Sequence, residues 1–268
     1  MFTPILLPAF NPGPMTGEGN NTYLLVDAHG SATLIDAGVG DPRHLESLER
    51  ALDESHAHLD TVLVTHIHGD HAKGAVPIAA AYPDARFFKS VWPGEDERYP
   101  VSWQSIDDGQ QFGEGEQRLT AVFTPGHSPD HMAFWQEPTR TVFVGDLVVA
   151  GTTVMIAASK GGDLTDYLSS LERIRVLNPA RLLPAHGTEV VDPGAILARY
   201  TEHRLHRERH VIHALSRGLD TVQSITESIY HGLSPALIPA AAENVRAHLD
   251  KLTKEGRARR EQDRWRLT

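Results

Sequence analysis

The segment Thr61-Val62-Leu63-Val64-Thr65-His66-Ile67-His68-Gly69-Asp70-His71 constrains this chain more than any other. An apolar run of strand type ends in four metal-ligand side chains: His66, His68, Asp70 and His71. In an extended segment, residues two apart share a face, so His66 and His68 point the same way. Gly69 then lets the chain turn sharply, which brings Asp70 and His71 round a second centre. Imidazole nitrogen and carboxylate oxygen suit zinc and similar ions. One ion would use only part of this set, so the spacing predicts two. A lone histidine is more often structural than a ligand. Polar groups crowded at a strand end, however, cost free energy unless something satisfies them.

The chain has no cysteine, so thiolate sites, thiol nucleophiles and disulfides are excluded, and any metal must be held by His and carboxylate. Its 268 residues, 40% of them hydrophobic, allow one large domain and one small one. The apolar N-terminal stretch Met1–Pro8 lacks a basic flank and is broken by prolines, so it does not read as a signal peptide. No apolar run reaches membrane-spanning length. A soluble cytoplasmic protein with no membrane partner is expected. The net charge of −10 is uneven. Residues 194–268 carry 13 Lys+Arg against 9 Asp+Glu, or +4, which leaves −14 on residues 1–193. An acidic body disfavours long polyanions, and a basic tail favours them.

Strand-like runs at 22–26, 32–35, 61–64, 86–88, 118–123, 132–135, 141–144 and 181–183 alternate with helix-like runs at 42–53, 74–81 and 164–177. Asp41 and Asp163 stand where N-caps belong. This pattern predicts a layered α/β domain over residues 1–193. Composition shifts at Asp192-Pro193-Gly194. Residues 194–268 then read as helices at 195–217, 221–230 and 235–255, stopped by Gly218, Gly232 and Gly256. A basic hairpin follows, so this part is expected to be a small winged-helix-like domain.

Three further strand-like runs end in a ligand-type residue: Thr124-Pro125-Gly126-His127, Gly145-Asp146 and Pro184-Ala185-His186-Gly187. With the first cluster they supply five histidines and two aspartates, enough for two ions with open positions. These motifs, in this order, resemble those of metallo-β-lactamase-fold hydrolases. The resemblance implies an αββα sandwich in which His66, His68 and His127 bind one metal. Asp70, His71 and His186 would bind the other, with Asp146 bridging them and Asp36 holding a ligand histidine in place. The implied cofactors are two divalent ions, zinc by default, with iron and manganese also suited. Such a pair holds one water and moves its pKa from about 15.7 to about 7. The hydroxide attacks phosphorus or a carbonyl carbon while the metals stabilise the oxyanion. Asp70 would be catalytic as well, orienting that hydroxide.

Asn20-Asn21-Thr22-Tyr23-Leu24, Gly126–Met132 and Gly151-Thr152-Thr153-Val154 narrow the resemblance to the β-lactamase-like protein 2 branch. So do His203-Arg204, Arg207-Glu208, Ile229-Tyr230 and Asn244–Leu249 in the tail. That branch includes endoribonucleases acting on single-stranded RNA, and similar sequences serve as thioesterases beside polyketide synthases. Asp146 argues against a dedicated β-lactamase, because many of those lack the bridging aspartate.

Several residues carry a functional and a bland expectation together. His131 is either a substrate-oxyanion donor or leaving-group acid, or a structural histidine. Trp92, Tyr99 and Trp103 form either a stacking wall for a substrate or a loop anchor. Tyr167 would face the cleft. Arg257, Arg259 and Arg260 of the hairpin would touch phosphates, or else serve packing or a homodimer contact. His203, His206, His210 and His213 share one helix face, taken as packed or solvated. His29, His44, His56 and His58 are taken as surface residues. The leading substrate is single-stranded RNA. The rival is a small or carrier-bound acyl thioester or ester. The third alternative is a nucleic-acid-binding module on an inactive hydrolase scaffold, against which the full ligand set argues.

Overall fold

In a computed structural model of the protein, residues 3–14, 16–151 and 153–268 are described. Thr152 of the Gly151–Val154 motif lies outside the described residues, as do Met1 and Phe2 of the N-terminal apolar stretch. The catalytic-type body begins with β1 (Ile5–Pro8), β2 (Asn21–Val26), β3 (Ser31–Ile35), α1 (Pro42–Glu54), β4 (His58–Leu63), α2 (Gly69–Ala72), α3 (Ala75–Ala81) and β5 (Arg86–Lys89). It continues through β6 (Trp103–Ser105), β7 (Gln111–Phe112), β8 (Leu119–Phe123), β9 (Met132–Gln136), β10 (Thr141–Gly145), α4 (Leu164–Val176) and β11 (Arg181–Pro184). The C-terminal part holds α5 (Pro193–Ser216), α6 (Val222–Ile229), α7 (Ile238–Lys254), β12 (Ala258–Glu261) and β13 (Arg264–Leu267).

Strands β1 to β6 form one sheet in sequence order, and β11-β10-β9-β8-β7 form the second. Strand β4 pairs in parallel with both β3 and β5. A strand in that position is covered on both faces, so it reads as a continuous apolar run rather than an alternating one. Tyr23, Leu25, Ile35, Leu63 and Phe88 of the first sheet meet Leu119, Phe134, Phe143 and Leu183 of the second to form the central core. Helix α1 buries His44, Leu48, Ala51 and Leu52, a stripe at helical spacing, against the outer face of the first sheet. Helix α4 does the same on the second with Leu164, Tyr167, Leu171 and Ile174. The expected αββα sandwich is therefore observed. Asp41 accepts the Arg43 N–H, and Asp163 accepts those of Thr165 and Asp166, so both act as N-caps.

Three strands, β1, β6 and β7, fall where no strand is expected. His44 is a correction: it is fully buried, with Nε2 2.8 Å from the Thr22 hydroxyl, whereas His29, His56 and His58 are exposed.

The composition shift at 192–194 marks the start of a helix shared by two cores, not a linker. In α5, Leu197 and Tyr200 pack on the second sheet. Val211, Ala214 and Leu215 pack with Ile225, Val245, Leu249, Ala258 and Trp265 in the C-terminal core. Among the described residues, no helix is long and apolar enough to cross a membrane.

A buried ion network ties the hairpin to the helices. Glu208 of α5 accepts from Lys251 Nζ at 2.6 Å and from Arg257 Nη1 at 2.8 Å. Removing one partner of a buried pair leaves an uncompensated charge. Lys251 keeps Glu255 at 2.7 Å, so Glu208→Ala should cost about 2 kcal/mol, below the range typical of a fully broken pair. A urea melt checks this.

Candidate metal centre

Four chain segments leave the sheets at one edge and converge there. After β4, residues 66–68 run on to the single turn α2, which carries Asp70 and His71. His127 follows β8, Asp146 ends β10 and His186 follows β11. Donor atoms of His66, His68 and His127 lie within 4.8 Å of one another, as do those of His66, His71 and Asp146 and those of Asp70, His71 and His186.

In the first group, His68 Nδ1 is 2.9 Å from His66 Nε2 and 3.0 Å from His127 Nε2. Protons on one imidazole cannot satisfy three converging lone pairs, whereas a cation can. In the second group, His186 Nε2 is 3.4 Å from Asp70 Oδ2, and His71 Nε2 is 3.6 Å from the same oxygen. Asp146 sits between the groups. Its Oδ2 is 3.5 Å from His127 Nε2, and its Oδ1 is 3.5 Å from His71 Nε2 and 3.3 Å from His186 Nε2. Its Oδ1 is buried without a hydrogen-bond donor. Burial alone would raise the Asp146 pKa, but His71, His186 and His127 outweigh it and hold the carboxyl well below its usual range. An orphaned buried carboxylate oxygen beside unshared imidazole nitrogens is what two divalent ions would complete. The residues present therefore fit the pair of ions.

Neighbouring groups fix the ligand rings. Asp36 Oδ2 lies 2.9 Å from His71 Nδ1, and its Oδ1 accepts the Thr65 N–H at 2.8 Å. This fixes the tautomer that leaves His71 Nε2 free for a metal. The backbone oxygen of Met155 does the same for His127, 2.9 Å from Nδ1. Asp130, fully buried, accepts the Ile67 N–H at 2.9 Å and pairs with buried Lys89 at 3.2 Å. It thereby locks the His66–His68 segment to the His127–His131 loop.

The structure favours the structural of the two expectations for His131 and corrects the expectation for Tyr167. His131 is fully buried. Its Nδ1 meets the Thr124 hydroxyl at 2.9 Å, and its Nε2 accepts the Asp146 N–H at 3.1 Å. It positions Asp146. A Cβ at residue 145 would come within 2.7 Å of that Nε2, and the backbone there has φ +49°, so Gly145 is required. Tyr167 is also fully buried, donating to the Leu147 oxygen at 2.8 Å.

The aromatic loop behaves as an anchor. Trp103 begins β6, donates Nε1–H to the Tyr99 oxygen at 3.0 Å and packs edge-on against Phe87. Trp92 and Trp103 both join the outer core of the first sheet. On α5, the His206 and His210 rings stand 4.3 Å apart, and among the described residues no candidate metal group includes them.

Asn20 escaped sequence reasoning. It is buried, and its Nδ2 donates to Asp70 Oδ2 at 3.2 Å while lying 3.3 Å from His71 Nε2 and 3.4 Å from His186 Nε2. Asn11 holds it in this orientation, its Nδ2 donating to Asn20 Oδ1. The Asn20-Asn21 pair was the available signal, but a neutral amide carries no metal-ligand spacing.

Residues 15–186 match the family model described as the metallo-beta-lactamase superfamily. This chain belongs to that superfamily of metal-dependent hydrolases. Residues 221–265 match the beta-lactamase associated winged helix domain. A Caenorhabditis elegans beta-lactamase-like protein 2 homolog is 33% identical over 250 residues, covering 92% of this chain and 82% of that one. An atrochrysone carboxyl ACP thioesterase of Aspergillus chevalieri is 34% identical over 236 residues, covering 85% and 72%. The crystal structure of a metallo-beta-lactamase family protein from Thermus thermophilus superposes with a TM-score of 0.80 at 22% identity, covering 99% and 98% of the two chains.

Proposed function

We propose that this superfamily hydrolase cleaves a thioester or related ester of an apolar acyl group, small or carrier-bound. His66, His68 and His127 would hold one divalent ion and Asp70, His71 and His186 the other, with Asp146 lying between the two groups. The ions would supply Lewis acidity and a water of lowered pKa. Asp70, whose side chain is 26% exposed against 14% for Asp146, would orient the attacking water, with Asn20 fixing its carboxylate.

The observation that carries this proposal is the cleft beside His186 and Asn20. It is about 1340 Å³ and walled by prolines and aliphatic side chains, among them Pro4, Leu6, Pro14, Val149, Val154 and Leu237. Its charged lining besides His186 is Glu18, Glu189 and Arg181, and Arg181 faces Glu189 at 3.5 Å. A lining with this apolar share suits an acyl group, and Arg181, its one basic side chain besides His186 among the described residues, already faces a carboxylate. The thioesterase relative supports the same substrate class.

The positive charge of the tail's hairpin, which favoured RNA, is largely paired. Arg257 pairs with Glu208 and Glu255, Arg259 with Glu261, Arg260 with Asp263 and Arg264 with Asp220. These arginines reach solvent already facing carboxylates.

A series of acyl thioesters and a labelled single-stranded RNA, assayed on one metal-loaded preparation, tests the proposal. Each buried CH₂ contributes about 0.8 kcal/mol, so kcat/KM should climb about fourfold per methylene until the cleft is filled. RNA cleavage without thioester cleavage would reject it.

A further inference from the structure

The chain between Asp146 and α4 has no strand among its described residues and only one turn of 3₁₀ helix, Ala158–Lys160. So long an irregular stretch in a compact domain needs anchors, and the anchors come from the C-terminal helices. Tyr200 of α5 donates its hydroxyl to the Val149 oxygen at 2.7 Å and accepts the Val149 N–H at 3.1 Å. Arg204, also of α5, donates to the Val154 oxygen. On α7, Asn244 Oδ1 accepts the Ile156 N–H at 3.3 Å, and Glu243 accepts the Ser159 N–H at 2.8 Å.

Met155 lies between the Arg204 and Asn244 anchors, and its backbone oxygen is the one that holds His127 Nδ1. Arg204 is an expensive residue for this place. It is 3% exposed and forms no ion pair with a carboxylate among the described residues. Its Nη1 donates instead to Asn244 Oδ1 at 3.1 Å, and its guanidinium lies 5.2 Å from the Tyr167 ring centroid. A buried cation without a counter-ion is costly, and a lysine could not serve the carbonyl and the amide in one planar fork.

We propose that Arg204 and Asn244 are positioning residues. They make the C-terminal helices set the Met155 carbonyl, and through it the tautomer and aim of the His127 ring at the metal centre. On this view the winged-helix part holds the segment around Met155, a strap beside the cleft, rather than reading nucleic acid. The inference rests on the assignment of His127 as a ligand, not on the identity of the substrate.

Zinc competition between the full-length protein and a chromogenic chelator tests it without any substrate. Loss of a partner that orients a ligand histidine typically weakens metal affinity about 10- to 100-fold. Arg204→Gln and Asn244→Ala should each weaken one of the two zinc ions by at least about tenfold, with Arg204→Lys restoring part of the loss. His127→Ala should weaken the same ion. Because the residues act through one ring, adding Arg204→Gln to His127→Ala should weaken zinc no further. Amide hydrogen exchange at Met155 and Ile156 should quicken in Arg204→Gln and Asn244→Ala alike. Should Arg204→Gln fail to fold, Asn244→Ala completes the same cycle. Unchanged zinc affinity in Asn244→Ala, or additive losses in the double variant, overturns the coupling. Unchanged affinity in His127→Ala overturns the ligand assignment and the inference with it.

Discussion

Asp146→Ala is expected to lower kcat/KM by at least about 10³-fold, roughly 4 kcal/mol of transition-state stabilisation, while the protein stays folded. The carboxylate is the group that faces both clusters. One oxygen is 3.5 Å from His127 Nε2, and the other is 3.3 Å from His186 Nε2. Truncation therefore removes an anionic ligand from both ions. The fold should survive, because His131 reaches the Asp146 backbone N–H, which alanine keeps, while Oδ1 is a buried oxygen with no hydrogen-bond donor. Losing the carboxylate's interactions with His71, His186 and His127 should lower the urea midpoint of metal-free protein without abolishing the folding transition. Elemental analysis should show metal content falling from two ions per chain. Full turnover with two ions bound would show that Asp146 is structural only.

The parts of this site legible in the sequence were those with short-range signatures. His66, His68, Asp70 and His71 crowd into one strand end, and His127, Asp146 and His186 each follow an apolar run. Strand ends are rigid, so these positions translate directly into a shared rim. Side-chain direction was not legible. His131 lies four residues from His127, yet the turn before β9 aims its ring beneath Asp146, where Gly145 leaves room for it. Tyr167 follows the strap in sequence, but it sits on the buried stripe of α4. Asn20 reaches Asp70 across 50 residues of chain, a pairing no local pattern encodes. His44 joined the core because its Nε2 finds the Thr22 hydroxyl. The charge of the tail was countable, but its pairing was not: Arg257 and Glu208 stand 49 residues apart. Edge strands β6 and β7 span only three and two residues, too few to show alternation.

Gly126→Ala is expected to cost more than about 4 kcal/mol, in the tail of single-substitution effects, and to dismantle the metal site as it does so. Gly126 has φ +128°, a conformation essentially closed to other residues. A Cβ built on it would lie 2.3 Å from the Tyr167 backbone nitrogen and 2.4 Å from its Cα. Neither neighbour can give way cheaply. Tyr167 sits in α4 with its hydroxyl bonded to the Leu147 oxygen, flanked in the core by Leu164, Leu171 and Ile174. The Gly126 oxygen accepts the Asp163 N–H at 2.8 Å, which ties the loop to the start of that helix. If α4 moves, the outer core of the second sheet opens. If the loop recoils, the next residue, His127, leaves its place beside His68. Gly218→Ala separates steric collision from backbone strain. That glycine has φ +82° with nothing within 4 Å of its Cβ position, so only the left-handed cost of about 1–2 kcal/mol applies. Urea midpoints of the two variants, with zinc titration of whatever fraction of Gly126→Ala folds, decide the matter. A Gly126→Ala protein as stable as Gly218→Ala and binding two ions would mean that the close approach of the loop to α4 is not what holds His127 in place.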